Sequence, residues 1–228
     1  MSTNEASVCF IFRHLPAMYR FPCFKTVALD LETTGINRER DRVIQYGVFG
    51  VEADGETEVS VHSLVDAEVP TGRDPRNIPG VRPWEVTSAV PLAEGHLDRL
   101  FDLLDNAVVV MHHRQYDWAF IEKEFARNHH PAPVPRLICC TWEIARRVGI
   151  SRPHTLTSLC QRYRISLARA HNAHHDSRAT FQLFVAFANQ YWDDWFDAQV
   201  RLRGCWSARS KYWLPRDFPW VRGVCLAS

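Results

Sequence analysis

Two carboxylates stand two residues apart in a segment that has the pattern of a strand. Asp30 and Glu32 alternate with Leu29 and Leu31, and successive strand side chains point to opposite faces, so both acids share one face. Neighbouring carboxylates repel each other unless a cation lies between them, and oxygen ligands of this kind suit Mg²⁺ or Mn²⁺. Taken alone, such a pair is more typical of a solvated strand edge than of a metal site.

Two further acids strengthen the case for a metal site. Asp117 is expected at the start of a helix that follows a buried strand, which is where α/β sheets place their chemistry. A first-turn acid favoured by the helix dipole explains Asp117 equally well. Asp176 falls within a predicted helix among histidines, and Asp is a weak helix former. A ligand role, with His171 on a similar side, accounts for Asp176 better than a surface salt bridge to Arg178.

The elements that must position these residues can be predicted from apolar patterning. Strand signals occur at 26–32, 43–51, 58–65, 107–111 and 136–140. Apolar residues at helical spacing predict helices over 92–104, 117–128, 141–148, 155–163 and 173–188. Residues 66–91, with five prolines, are predicted to form a loop with short helical turns. Strands followed by alternating helices and strands indicate a mixed α/β sheet.

Composition narrows the function classes. Of the 228 residues 46% are hydrophobic and 23% charged, and the formal net charge is +1, so a global basic field for nucleic acid is excluded. The seven cysteines include no CxxC pair, which argues against a disulfide framework or structural zinc and favours a reducing, cytoplasmic setting. Because no long apolar run occurs near the start, we expect neither a signal peptide nor a membrane association.

A local basic stretch is hidden by the near-zero net charge. Residues 146–175 contain no Asp or Glu and lead into the segment that holds Asp176. Phosphate backbones would bind there in a salt-dependent manner, although scattered arginines are also typical of solvated helix faces. The position of the stretch favours substrate contact. Its arginines are Arg146, Arg147, Arg152, Arg162, Arg164 and Arg169.

Three motifs, in order along the chain, resemble the DnaQ-like (DEDDh) 3′→5′ exonucleases, the family of the proofreading epsilon subunit of bacterial DNA polymerase III. They are the segments 28–35 (ALDLETTG), 112–117 (HHRQYD) and 171–176 (HNAHHD), and the segments 41–47 and 155–159 are also similar to the family. The resemblance covers roughly residues 26–188. The chain departs from the family's usual residues at His113, Tyr116, His174 and Ser177, but the acids and His171 are intact, so activity is expected.

The resemblance implies an RNase H-like mixed five-stranded sheet flanked by helices. It also implies two Mg²⁺ (or Mn²⁺) ions held by Asp30, Glu32 and Asp176, with Asp117 assisting through water, and it implies His171 as the base. His174 and His175 are close enough in sequence to compete for that role, and register favours His171.

Substrate contacts are expected beside the acids. Thr33, Thr34 and Gly35 follow the metal-binding strand, and their backbone and hydroxyls could hold the sugar of the terminal nucleotide. A simple turn with Gly35 at positive φ is the other interpretation, and the two are compatible. His113 and Tyr116 are further candidates for substrate binding, although His113 could instead pack in the core.

The expected function is release of nucleoside 5′-monophosphates from single-stranded or frayed 3′ DNA ends in proofreading or repair, with a DNA polymerase as a possible partner. The alternatives are an exoribonuclease of the RNase T or oligoribonuclease type, and a catalytically silent polymerase-binding adaptor. The expected domains are an irregular leader (1–24), an exonuclease domain (25–190) and an aromatic-rich extension (191–228). Five tryptophans in the extension could cap the core, dock on another chain or stack on bases.

Overall fold

The computed structural model describes residues 25–55, 57–68, 86, 88–168 and 170–201, without the side chains of residues 189 and 192–201. The expected leader, Arg169 and the side chains of the tail tryptophans therefore lie outside the described residues. The division into leader, exonuclease domain and extension stays a prediction.

A mixed sheet forms the centre of the described part of the chain. Its strands are β1 (Thr26–Thr33), β2 (Val43–Val51), β3 (Glu58–Leu64), β4 (Val108–Met111) and β5 (Leu137–Cys140). The spatial order is β3-β2-β1-β4-β5. The β1–β2 and β2–β3 pairs are antiparallel, whereas β1–β4 and β4–β5 are parallel. The predicted RNase H-like five-stranded architecture is confirmed.

Helices cover the two faces of this sheet. They are α1 (His96–Leu104), α2 (Arg114–Arg127), α3 (Thr141–Arg147), α4 (Leu156–Tyr163) and α5 (Ala173–Arg201). Three predicted helix boundaries differ from the observed ones by three residues or more. Helix α1 begins at His96 rather than at 92, after Gly95 in the left-handed region (φ 84°). Helix α2 begins at Arg114 rather than at 117. Helix α5 runs to Arg201 rather than to 188, through a non-helical Tyr191 (φ −124°).

Strand alternation divides the core into two layers and thereby aims the acids of β1. Leu29 and Leu31 pack with Phe120 of α2 and Leu97 of α1 in one apolar cluster. Ala28 packs with the α3 and α5 side chains of a second cluster. Asp30 and Glu32 alternate in register with Ala28 along β1, so their side chains lie on the same face of the sheet as Ala28. They therefore point toward the layer that contains α5.

Within the described residues, no helix combines the length and the apolar character that crossing a bilayer would require. Three of the seven cysteines fall in this part of the chain, and Cys139, Cys140 and Cys160 are all buried free thiols.

Candidate active site

The carboxyl end of β1 carries the first two acids. Asp30 lies opposite Gly47 of β2 and Glu32 lies opposite Gln45, and the register shifts between Glu32 and Thr33, where the regular ladder ends. Asp30 and Glu32 are both partly buried. The strand therefore presents two carboxylates on one face at the edge where its pairing stops.

The third acid reaches the same place from the start of α5. Asn172 caps the helix, with its Oδ1 accepting the His175 N–H at 3.3 Å. The Ala173 N–H donates to Oε1 of Gln45 at 3.0 Å, which ties the helix start to β2. Asp176 lies in the first turn and accepts the His171 N–H at 2.8 Å through Oδ2. The expectation that Asp176 sits unfavourably in a helix interior was wrong, because a carboxylate in the first turn is favoured by the helix dipole.

Asp30, Glu32 and Asp176 converge. Ligand oxygens of the three side chains all lie within 4.8 Å of one another. Oδ1 of Asp176 is buried and has no hydrogen-bond partner. Burial, followed by the charges of Asp117, Asp176 and Glu32, raises the pKa of Asp30 well above its usual range. Burial and the charge of Asp176 raise the pKa of Glu32 to about 7.

Asp117 joins the cluster electrostatically from the first turn of α2. Burial raises the pKa of this carboxyl to about 7. Hydrogen bonds from the backbone N–H groups of Asp117 and Leu31 act in the opposite direction and lower the pKa. Its charge is also the largest of those that raise the pKa of Asp30. Asp117 is not among the three side chains whose oxygens lie mutually within 4.8 Å, so it occupies an outer position beside the cluster.

The donor set fits a divalent cation. All three converging groups are carboxylates, the ligands that Mg²⁺ and Mn²⁺ favour. A bound cation would give the buried Asp176 Oδ1 the partner it lacks. It would also offset the repulsion that adds to the effect of burial in raising the pKa values of Asp30 and Glu32.

The three histidines near Asp176 occupy different surroundings. His171 is exposed, in the left-handed region (φ 64°). Burial raises the pKa of Asp176, and the charge of His171 is among the smaller effects that oppose this rise. The His174 ring lies 4.3 Å from the ring of His62 on β3, between ring centroids, and its Nδ1 is buried without a partner. His174 and His175 line a cavity of about 700 Å³ between α5 and β3, together with His62 and His96. No spacing signal in the sequence brings His62 beside His174.

The turn after β1 is held by side-chain hydroxyls. Thr33 Oγ1 donates to the Gly35 carbonyl at 2.7 Å and lies 2.5 Å from the Tyr116 hydroxyl. The Tyr116 hydroxyl also lies 3.0 Å from the Gly35 carbonyl, which links α2 to this turn. Thr34 Oγ1 accepts the Arg42 N–H at 3.0 Å.

The alternative that placed Gly35 at positive φ was wrong. The backbone of Gly35 does not adopt a positive φ, but a Cβ on this residue would lie 2.5 Å from Oδ2 of Asp41. The close approach of that carboxylate, rather than a left-handed backbone, therefore requires glycine at this position.

A buried carboxylate that the sequence did not single out braces the same turn. Glu124 of α2 accepts from Nε of Arg42 at 2.9 Å, from Arg127 at 2.9 Å and from the Val43 N–H at 3.3 Å. This cluster fixes residues 34–42 against α2. The signal was available, since Glu124 lies two helical turns beyond Asp117 and shares its buried face.

The two histidines that follow β4 differ in exposure. His113 caps α2, is exposed and lies 5.1 Å from the Trp142 ring between centroids, so the expectation that it could pack in the core was wrong. His112 is buried, donates from Nε2 to the His154 carbonyl at 3.0 Å and lies 2.8 Å from Thr141 Oγ1 through Nδ1. Burial, followed by the charge of His113, lowers the pKa of His112 to about 4.

An RNase H-like sheet with clustered carboxylates at the end of its central strand is typical of nucleases that bind metal ions through carboxylates. Comparison with known proteins identifies the family. The family model for RNase_T, described as Exonuclease, matches residues 27–184. The chain belongs to this DnaQ-like exonuclease family.

Relatives in sequence come from bacterial DNA polymerases. The chain is 25% identical over 177 residues to DNA polymerase III PolC-type of Thermotoga petrophila, covering 78% of this chain and 13% of that protein. It is 26% identical over 166 residues to its counterpart in Lacticaseibacillus paracasei, covering 72% of this chain and 11% of that protein. The chain thus spans about an eighth of the length of the polymerases it matches.

Solved structures share the fold at lower identity. Escherichia coli Exonuclease I in complex with a dT13 oligonucleotide superposes with a TM-score of 0.62 at 16% identity, over 78% of this chain and 44% of that one. Exonuclease X in complex with 5′ overhanging duplex DNA superposes with a TM-score of 0.54 at 19% identity, over 72% of this chain and 91% of that one. Cell-death related nuclease 4 superposes with a TM-score of 0.61 at 17% identity, over 75% of this chain and 66% of that one.

Proposed function

We propose that this chain is a metal-dependent 3′→5′ exonuclease of the DEDDh type that releases nucleoside 5′-monophosphates from DNA ends in proofreading or repair. The observation that carries the proposal is the convergence of Asp30, Glu32 and Asp176 within 4.8 Å, from two segments far apart in sequence. The sequence similarity to PolC-type polymerases supports a DNA substrate.

Asp30, Glu32 and Asp176, with Asp117 through water, would hold two Mg²⁺ (or Mn²⁺) ions. When bound, the pair supplies electrostatic stabilisation of the attacking and leaving oxygens of the phosphodiester. We assign Thr33, Thr34 and Gly35, through their backbone and hydroxyls, to the sugar of the terminal nucleotide, and we assign His113 and Tyr116 to substrate binding. The turn that carries three of them is already ordered by Tyr116 and Glu124, so little reorganisation is needed when substrate binds.

The proton of the attacking water is assigned to the imidazole of His171, an exposed residue whose backbone N–H donates to Asp176. The water oxygen forms a bond to phosphorus, and the bond from phosphorus to the 3′ oxygen breaks. The departing 3′ oxygen takes a proton from solvent. The products are a nucleoside 5′-monophosphate and a strand shortened by one nucleotide.

Digestion of a 5′-labelled DNA oligomer with Mg²⁺, and again with EDTA, tests the proposal. We expect a ladder of products shortened from the 3′ end with Mg²⁺ and none with EDTA. Asp30→Ala should abolish the ladder, whereas Asp98→Ala, at an exposed carboxylate on α1, should not. Full activity in Asp30→Ala would overturn the assignment. Faster degradation of an RNA oligomer of the same sequence would show that the enzyme prefers RNA to DNA.

We further propose that the enzyme acts alongside a DNA polymerase, since its sequence relatives are PolC-type polymerases. Addition of the chain to a polymerase extending a mismatched primer should increase correct full-length product. Binding to the polymerase without any metal-dependent turnover would instead identify a silent adaptor.

A further inference from the structure

His113, Trp142 and Arg146 form a continuous stack of aromatic and cationic side chains. The His113 and Trp142 ring centroids are 5.1 Å apart with the planes inclined by 40°. The guanidinium carbon of Arg146 lies 4.5 Å from the Trp142 ring centroid. His113 and Arg146 are exposed and Trp142 is partly exposed, so the stack lies at the surface.

The stack lies at the same edge of the sheet as the carboxylate cluster. β1, β4 and β5 run parallel, with Val110 opposite Ala28 and Met111 opposite Cys140, so their carboxyl ends share an edge. His113 is the second residue after β4, and Trp142 is the second residue after β5. Two strand spacings, about 10 Å, separate β5 from β1, a span that a neighbouring nucleotide can cover.

Charge around the stack favours a polyanionic strand. The nearby acid, Glu143, is paired with Arg114 at 2.9 Å. Arg146 and Arg147 lie in the last turn of α3, and the chain carries no acid from there to His175. The arrangement combines aromatic faces with a basic surround, the combination by which proteins hold single-stranded nucleic acid.

We propose that the His113–Trp142–Arg146 stack is a subsite for a nucleobase of the single strand, one or two nucleotides 5′ of the scissile bond. The base stacks on the aromatic members and the adjoining phosphate lies against Arg146. This inference rests on the proposed exonuclease function and adds to it a site that holds the strand between successive cleavages.

A cycle of enzyme and substrate changes tests the subsite. The substrates are a DNA oligomer and its matched versions with an abasic nucleotide at the second or the third position from the 3′ end, and KM is measured for the first cleavage. For the unaltered enzyme, one abasic version should raise KM about tenfold, the loss expected for one stacked base. In Trp142→Ala the intact and abasic substrates should have the same KM, and Trp142→Phe should keep most of the difference.

The possible failures are distinguishable. If the unaltered enzyme binds intact and abasic substrates equally, or if Trp142→Ala keeps the full difference, the subsite is overturned while the exonuclease function stands. If the unaltered enzyme releases no mononucleotide from any substrate with Mg²⁺, the proposed function itself fails. The comparison of substrates on the unaltered enzyme requires no folded variant.

Discussion

Gly47 of β2 lies directly beneath Ala173, the first residue of α5, so closely that a Cβ on Gly47 would overlap the Ala173 carbonyl group. Gly47 is also the register partner of Asp30. The same glycine therefore sets the separation between the strand that carries Asp30 and the helix that carries Asp176.

Gly47→Ala should displace α5 and separate the acids. Because the overlap is with backbone, the helix must shift, and we expect a loss of at least about 2 kcal/mol in the free energy of unfolding together with near-complete loss of metal-dependent cleavage. Urea unfolding and oligomer digestion measure the two effects. Gly95→Ala is the control: Gly95 has φ 84° with nothing near its Cβ position, so strain of about 1 kcal/mol and retained cleavage are expected. Retained cleavage in Gly47→Ala would contradict the role given to this contact.

The metal-free protein should lose stability as pH rises. The pKa of Asp30 is raised by burial, and burial raises the pKa values of Glu32 and Asp117 to about 7. Folded-state values above those of the unfolded chain mean that this stability is fully present below about pH 4 and is lost as pH rises through about 7. In EDTA, Tm should therefore fall more steeply with rising pH for the unaltered protein than for Asp30→Asn.

Mg²⁺ or Mn²⁺ should reverse that loss. A cation that binds the ionised carboxylates of the folded state raises Tm at pH 8 and has much less effect at pH 5. Thermal unfolding at both pH values, with and without metal, gives the comparison. An equal rise in Tm at pH 8 for Asp30→Asn would mean that the ion binds elsewhere.

His171→Ala should slow chemistry without preventing assembly of the site. Loss of a general base costs about 10²- to 10⁴-fold in kcat, while KM and the metal-induced rise in Tm stay close to those of the unaltered enzyme. His174→Ala is the matched comparison, because its ring packs on His62, and we expect a kcat within a few fold of normal. A larger loss in His174→Ala than in His171→Ala would reassign the base.

Tyr116→Phe should loosen the turn after β1. The phenol hydroxyl contacts both Thr33 Oγ1 and the Gly35 carbonyl, and its loss should cost about 1 kcal/mol of stability and raise KM for the oligomer several fold. The double variant with Thr33→Val should lose less than the sum of the two single changes, because both remove one shared contact. Strict additivity would show that the two hydroxyls act independently.

His112 should make the fold sensitive to acid. Its pKa is lowered to about 4 by burial, below the ordinary value of the unfolded chain, so this contribution is complete above about pH 6.5 and is lost as pH falls toward 4, by about 3 kcal/mol in all. The buried carboxylates act in the opposite direction in both proteins, so the difference between them is the measure: as pH falls from about 6.5 to about 4, the unfolding free energy of His112→Gln should rise relative to that of the unaltered protein. An NMR titration that finds His112 charged at pH 6 would rule this out.

Much of the fold and site could be predicted from local patterns. Alternation placed Asp30 and Glu32 on one face, and the motif order identified Asp117 and Asp176, which the structure brings beside them. Helix ends were less predictable: His113 and Gly95 determine where α2 and α1 begin through backbone geometry rather than apolar spacing. Contacts between distant segments escaped prediction, because nothing local links Glu124 to Arg42 or His62 to His174.

The third carboxylate comes from the last helix of the sheet-forming region. A chain that ends before residue 171 contains the residues of β1 to β5 but lacks Asp176 and the histidines beside it. The proposed metal site is therefore complete only in a chain that includes α5 and its contact with Gly47.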